Sequence, residues 1–200
     1  MDDLMGDSSQ PAFLNKIFTS DLWKPSSQEP KALITGAALE GSSREIVDIL
    51  IEKGFKIFLS DVDAGKDVNL VWDLENKPED RFVSSFDLVI SCSVLEHVRQ
   101  PHLACRHLLD VLKNGGLIYL ALPWVWRYHK YPDDYNRFHS STLDYLCKDT
   151  ALRLRAWSTS PDCKLHPYDP NFDQNHSRII DGVKYLPYLM LHEARLKKLS

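Results

Sequence analysis

The sequence lacks several features that would decide a function at once. Its four cysteines, Cys92, Cys105, Cys147 and Cys163, stand far apart, with no Cys-x-x-Cys pair. That spacing suits reduced thiols and argues against a disulfide frame or a structural zinc site. Basic charge is not in excess: 24 Lys and Arg face 28 Asp and Glu, for a net charge of -4. A dedicated nucleic-acid binder normally carries a basic face, so nucleic acid is not an expected partner. No apolar run approaches the ~20 residues of a membrane span, and membrane is not expected either. The stretch Met1 to Gln10 is acidic and polar, without the apolar core of a signal peptide. A cytoplasmic location is the expectation.

What is present points to one α/β domain, since 200 residues at 44% hydrophobic bury one sizeable core and not two. Residues 1–30 read as a flexible N-terminal segment with a short helix. The helix is carried by Phe13, Leu14, Ile17, Phe18, Leu22 and Trp23, spaced to share one face. From Lys31 onward short apolar runs alternate with amphipathic stretches. Strands are expected at Ala32–Thr35, Lys56–Ser60, Val68–Val71, Phe86–Ser91 and Leu117–Leu122. Helices are expected at Ser43–Lys53, closed by Gly54, and at His102–Leu112, closed by an Asn114-Gly115-Gly116 turn. This alternation predicts parallel βαβ units in a Rossmann-like three-layer sandwich. Its sheet is open and mostly parallel, of about six or seven strands, with helices on both faces. Such sheets bind ligands at the carboxyl ends of their strands.

Further along, Ser140–Lys148 reads as a helix with Ser140 or Ser141 as its N-cap, and Leu152–Ser158 as a strand. Leu189, His192 and Leu196 recur at helical spacing, so a helical tail is expected over about 176–199. A tail of that kind could dock on a neighbouring subunit, which would make a homo-oligomer.

The opening KALITGAALEGSSREIVDILIEKGFKIFLSD is similar to the start of a short-chain dehydrogenase. Its second required glycine falls on Glu40, however, and no tyrosine has Lys four residues on. The segment FDLVISCSVLEHVRQPHLACRHLLDVLKNGGLIYLALPW is more informative. With its spaced Phe86-Asp87, Glu96-His97, Pro101, Gly115-Gly116 and Pro123, it resembles class I S-adenosylmethionine-dependent methyltransferases of the small-molecule type. His129, Pro132-Asp133-Asp134-Tyr135 and Arg137-Phe138 resemble an HxxPxDxxRF extension in one subgroup. The first glycine motif departs from the pattern, with Ile34 where the family has an acid and Ala38 in place of a glycine.

The resemblance implies S-adenosylmethionine as cofactor and methyl transfer to a small-molecule or sugar-like acceptor. It implies cofactor contacts from Gly36, Glu40 and Gly41 in the loop after the first strand. Asp61, with Asp63 as second choice, would hold the ribose, and Asp73 and Leu74 the adenine. Ser91, Cys92 and Ser93 would line the methionine end. His97 and His129 are candidate bases, though His97 reads equally as a structural residue opening the next helix. Trp124, Tyr128, Asp133, Tyr135 and Arg137 are candidate acceptor contacts, with Arg137 holding an anionic group. The other reading of this loop is a segment tied down by Arg–Asp pairs. The aromatic cluster of Trp124, Trp126, Tyr128 and Tyr131 equally suits a lid or a subunit interface. His102 and His107 do not share a helix face, and no metal site is expected. The degenerate glycine loop keeps a second function open: a non-catalytic methyltransferase-like binding or scaffold subunit.

Overall fold

The computed structural model of the chain describes residues 9–36, 42–126, 128–129, 133–159, 164–167, 178–180, 183–185 and 189–198. Ten strands and four α-helices are present among them: β1 (Lys31–Thr35), β2 (Lys56–Asp61), β3 (Leu70–Val71), β4 (Phe86–Cys92), β5 (Leu112–Val125), β6 (Thr150–Thr159), β7 (Lys164–Pro167), β8 (Arg178–Ile180), β9 (Val183–Tyr185) and β10 (Leu189–Lys197), with α1 (Ser9–Thr19), α2 (Ser42–Glu52), α3 (Pro101–Val111) and α4 (Ser140–Leu146). The main sheet has eight strands in the order β3-β2-β1-β4-β5-β10-β6-β7. β1 pairs in parallel with β2 and β4, β2 with β3, and β4 with β5. β10 runs antiparallel to both its neighbours. The expected open, mostly parallel sheet is present, one strand longer because β7 adds an edge.

Two apolar clusters sandwich the sheet. On one face Phe13, Leu14 and Ile17 of α1 and Ile46 and Leu50 of α2 pack onto Ala32, Ile34, Leu88 and Ile90. On the other, Ala104, Cys105, Leu108 and Val111 of α3 and Leu143 of α4 cover Leu33, Val89, Ile118 and Leu120. The two strand faces alternate residue by residue, as the pleat requires. Phe13, Leu14 and Ile17 are fully buried, each contributing about 1.5–3 kcal/mol. α2 ends where Gly54 takes φ +77°, returning its N–H to the Ile51 carbonyl at 2.9 Å.

Three expectations are corrected. The tail is not helical: residues 189–197 form β10, inserted between β5 and β6. Its period is two, with Met190, Ala194 and Leu196 on the α1–α2 face and Leu191 on the other. Glu193 and Arg195 masked that period, because both are buried yet charged. They pair with each other at 2.6 Å and with Arg155 and Asp144. Built into its own sheet, β10 is no arm for a neighbouring subunit, and the argument for a homo-oligomer that used it lapses.

The Asn114-Gly115-Gly116 segment is not a turn before a strand but a bulge inside β5, where the register to β4 jumps from Phe86↔Leu112 to Leu88↔Leu117. Gly115 has φ +74° and its carbonyl accepts from Trp23 Nε1 at 3.0 Å. The N-cap of α4 is His139, not Ser140 or Ser141; its side chain accepts from Ser141 N. No helix among the described residues is long and apolar enough to cross a membrane.

Candidate active site

Strand order places the topological switch between β1 and β4, the position where open α/β sheets take ligands. Residues at the carboxyl ends of these strands form the first half of the site. Gly36 leaves β1 exposed and left-handed, with φ +66°. Asp61 ends β2 half-buried, and its Oδ1 accepts from Asp63 N at 3.3 Å. Val71 of β3 lies in register with Asp61, and exposed Asp73 follows two residues on. Asp73 holds its own turn, accepting from Glu75 N at 2.9 Å and Asn76 Nδ2 at 3.1 Å. A shallow groove of about 240 Å³ lies behind it, lined by Trp72, Asn76, Lys77 and Phe82.

At the end of β4 the chain turns sharply. Ser93 adopts φ +54°, uncommon for a residue with a side chain, and its N–H reaches the Ala121 carbonyl at 2.8 Å. This bend seats Val94 directly against Gly36. Glu40 and Gly41 lie outside the described residues.

Three of the sequence-predicted cofactor contacts are repositioned. Ser91 is fully buried on the α3–α4 side of the sheet and cannot touch a ligand. Cys92, one step along the pleat, packs against the opposite core. Leu74 is buried, and its carbonyl takes the hydrogen bond of buried His107 Nδ1 at 2.8 Å. Ser93 alone of the 91–93 trio stays at the strand mouth.

The second half of the site is built by Glu96 and His97, in the short 3-10 turn after β4, and by the loop after β5. Tyr135 N and Asn136 N both donate to the Glu96 carbonyl, at 2.8 and 3.2 Å, clamping the loop onto that turn. His97 Nδ1 lies 2.6 Å from the Asp133 carbonyl, to which it donates. The His97 and His129 rings meet edge to face, with centroids 4.8 Å apart. Burial lowers the His97 pKa, so the imidazole is neutral. Glu96 is buried, and burial pushes its carboxyl up to about 8 against the partial opposition of Arg137. Its Oε2 has no hydrogen-bond partner.

The loop corrects two acceptor assignments. Arg137 is spent on Asp134, donating to Oδ2 at 2.7 Å and to Oδ1, and on the carbonyls of Asn136 and Trp126. It ties the loop down rather than holding an anion. Asp134, not Asp133, is the organising acid: its Oδ2 also takes His129 N at 2.8 Å and lies 3.1 Å from His129 Nδ1. The Arg137 hydrogen bonds hold the Asp134 carboxyl at about 2. Asp133 instead accepts from exposed Tyr135 Oη at 3.0 Å, which in turn takes Arg99 Nε at 3.1 Å. Trp124 stacks on Trp157 at 5.1 Å as an extension of the core, while Tyr128 is exposed. Tyr131 lies outside the described residues.

Sequence reasoning quoted Glu96 and Asp134 within the family motifs but assigned neither a role in the site. The i, i+3 spacing of Asp134 and Arg137 was the available signal for the second. Nor did it expect a metal cluster, yet Glu96, His97 and His129 each offer a ligand atom within 4.8 Å of the others.

The sheet order and the switch point define a Rossmann-like α/β domain. Residues 62–120 match the family model described as a methyltransferase domain. No curated protein sequence matches the chain significantly. Solved structures similar to it include a methyltransferase candidate from Bacillus halodurans, with a TM-score of 0.64 and 12% identity over 94% of this chain and all of that one. A 1,6-didemethyltoxoflavin-N1-methyltransferase from Burkholderia thailandensis, solved with S-adenosylhomocysteine, aligns with a TM-score of 0.57 and 13% identity over 100% of this chain and 93% of that one. The cyclase SpnF aligns with a TM-score of 0.62 and 13% identity over 100% and 86%. The fold is that of the class I S-adenosylmethionine-dependent methyltransferases to which these structures are similar, and residues 62–120 carry the methyltransferase-domain match.

Proposed function

We propose that this domain transfers a methyl group from S-adenosylmethionine to a small-molecule or sugar-like acceptor. The reading is carried by two differently built groups of residues at the carboxyl ends of the strands. Exposed Gly36 and Asp73 and half-buried Asp61 line the ends of β1 to β3, and Glu96, His97 and His129 stand beyond β4. The first group fits a nucleoside donor. Asp61 has carboxylate lone pairs to accept from two ribose hydroxyls, and Asp73 can accept from an exocyclic amine. Gly36 stands exposed at the same edge, the space of its missing side chain taken by Val94.

Bound there, S-adenosylmethionine would supply a methyl carbon already made electrophilic by its sulfonium. The protein's own task is alignment and exclusion of water. His97, neutral and anchored through Nδ1, keeps a lone pair on Nε2 to take the acceptor's proton. His129, oriented by Asp134, can serve the same end.

A second reading, a binding or scaffold subunit without catalysis, is favoured by one observation. Ile34 is buried in the α1–α2 core, so the end of β1 offers no acid to a donor's amino group. Isothermal titration separates the two. Binding of S-adenosylmethionine supports methyl transfer, and no binding of it or of S-adenosylhomocysteine would sink that reading.

A further inference from the structure

We propose that Glu96, His97 and His129 form a site for one divalent transition-metal cation, with an open position for the acceptor's oxygen. The acceptor clause rests on the methyl-transfer reading; the metal site does not.

Two imidazoles and one carboxylate are the ligand set of open, three-ligand zinc sites and of non-haem iron triads. One ligand atom from each of the three residues lies within 4.8 Å of the others. Glu96 Oε1 is already 3.9 Å from His97 Nε2. That is too long for a hydrogen bond, so the protein does not satisfy this pair by itself. With metal–ligand bonds of about 2.0–2.2 Å, ligands of one cation sit at most about 4.3 Å apart. An inward shift on the order of 1 Å closes the site. His129, on a loop and with 31% of its side chain exposed, has room to make it.

The surroundings fit a metal as well as the ligands do. Metal-binding histidines usually donate their other ring N–H to a carbonyl or a carboxylate, which fixes tautomer and orientation. His97 Nδ1 donates to the Asp133 carbonyl at 2.6 Å. His129 Nδ1 lies 3.1 Å from Asp134 Oδ2, which Arg137 fixes in turn. The His97 bond leaves its Nε2 as the nitrogen with the lone pair, and a proton on His129 Nδ1 beside Asp134 would do the same there. Glu96 Oε2 is buried without a partner, an arrangement that needs a compensating group. With Asp134 taken by Arg137, Glu96 is the buried carboxyl left without an ion partner, and a bound cation would displace its proton and hold it as a carboxylate. A metal here would take over from an imidazole base, lowering the pKa of an acceptor hydroxyl by direct coordination.

The test uses the full chain, stripped with a chelator and reloaded with Zn²⁺ or Co²⁺. One equivalent of metal per chain after desalting is expected, with a Co²⁺ absorption spectrum that lacks thiolate charge transfer. His129→Ala, in the loop, and Glu96→Gln should each weaken binding by roughly tenfold to a hundredfold. No retained metal, a thiolate band, or unchanged affinity in both variants would overturn the site. S-adenosylmethionine titration of the same samples separates the two ideas. Metal retained without donor binding leaves the site standing and removes the methyl-transfer reading.

Discussion

Val94 occupies the space that a side chain on Gly36 would need: a Cβ at position 36 would fall inside van der Waals contact with Val94 Cγ2. The end of β1 and the bend after β4 are therefore fitted to each other through a missing methyl group. Gly36 is also left-handed, at φ +66°. Gly36→Ala meets both obstacles, and a loss of about 1–3 kcal/mol is expected from the backbone and the clash. Urea denaturation of the single variant and of Gly36→Ala with Val94→Ala separates the two. The double variant should recover the packing part only, and full recovery would show that the backbone is not strained.

Asp134 and Asp133 are neighbours with unequal roles. Asp134 is a nearly buried acid pairing with Arg137, and removing one partner of such a pair costs about 3–5 kcal/mol. Asp134→Asn keeps the shape and some hydrogen bonds, so a loss of about 2 kcal/mol is expected, against less than about 0.5 for Asp133→Asn. Thermal denaturation of both checks the ranking. Equal effects would contradict the assignment of Asp134 as organiser.

The strand-end acids predict a binding signature. Asp61→Ala should weaken S-adenosylmethionine about tenfold to a hundredfold, the worth of hydrogen bonds to a charged group. Asp73→Ala should cost less, because Asp73 also holds its own turn and stability will fall with affinity. Isothermal titration alongside melting curves distinguishes them, and unchanged affinity in Asp61→Ala would refute its ribose role.

The charge cluster of α4, β6 and β10 predicts opposite pH responses from its exposed and its buried carboxyl. Burial alone would raise the Asp144 pKa, but hydrogen bonds from Arg195 and Arg155 outweigh it and the net shift is downward. Its folded pKa lies below 3.8, so its stabilisation is complete above that value and is lost as pH falls through the folded one. Burial raises the Glu193 pKa above its usual 4.5, with both arginines opposing. Its contribution has the other sign: stability present below 4.5 is lost as pH rises through the raised value. Asp144→Asn should flatten the acid limb of a stability–pH profile, and Glu193→Gln the limb above 4.5. A profile with both limbs unchanged in both variants would exclude this network as their source.

From Lys31 to Leu122, the Asn114-Gly115-Gly116 bulge aside, the fold was legible because its elements keep their own period and are apolar where they are buried. The Phe86–Ser91 run is buried throughout, as a central parallel strand must be. β10 was not legible, because Glu193 and Arg195 sit inside it as paired ions and leave only a false helical spacing at Leu189, His192 and Leu196. His192 is likewise internal, bonded to Ser9, Ser158 and Tyr119. The site was half legible. Asp61 and Asp73 follow from strand ends, which sequence locates well. Ser91 and Cys92 required knowing which way the pleat points at the last residue. For Arg137 both an anion and an Arg–Asp pair were open readings, and a linear reading does not decide between them.

The placement of β10 also sets an order of assembly. β6 reaches β5 only through a strand some thirty residues further along the chain, and that same strand carries His192, the anchor for Ser9 of α1. Synthesised from the N-terminus, the chain can build β1 to β5 early. β6, with only the short β7 on one edge, must wait for its link to the rest of the sheet until β10 slots in, and that late closure also gives α1 its anchor. The final step of folding thus locks both ends of the described chain at once, so a lesion in β10 should be felt first as slow, aggregation-exposed folding.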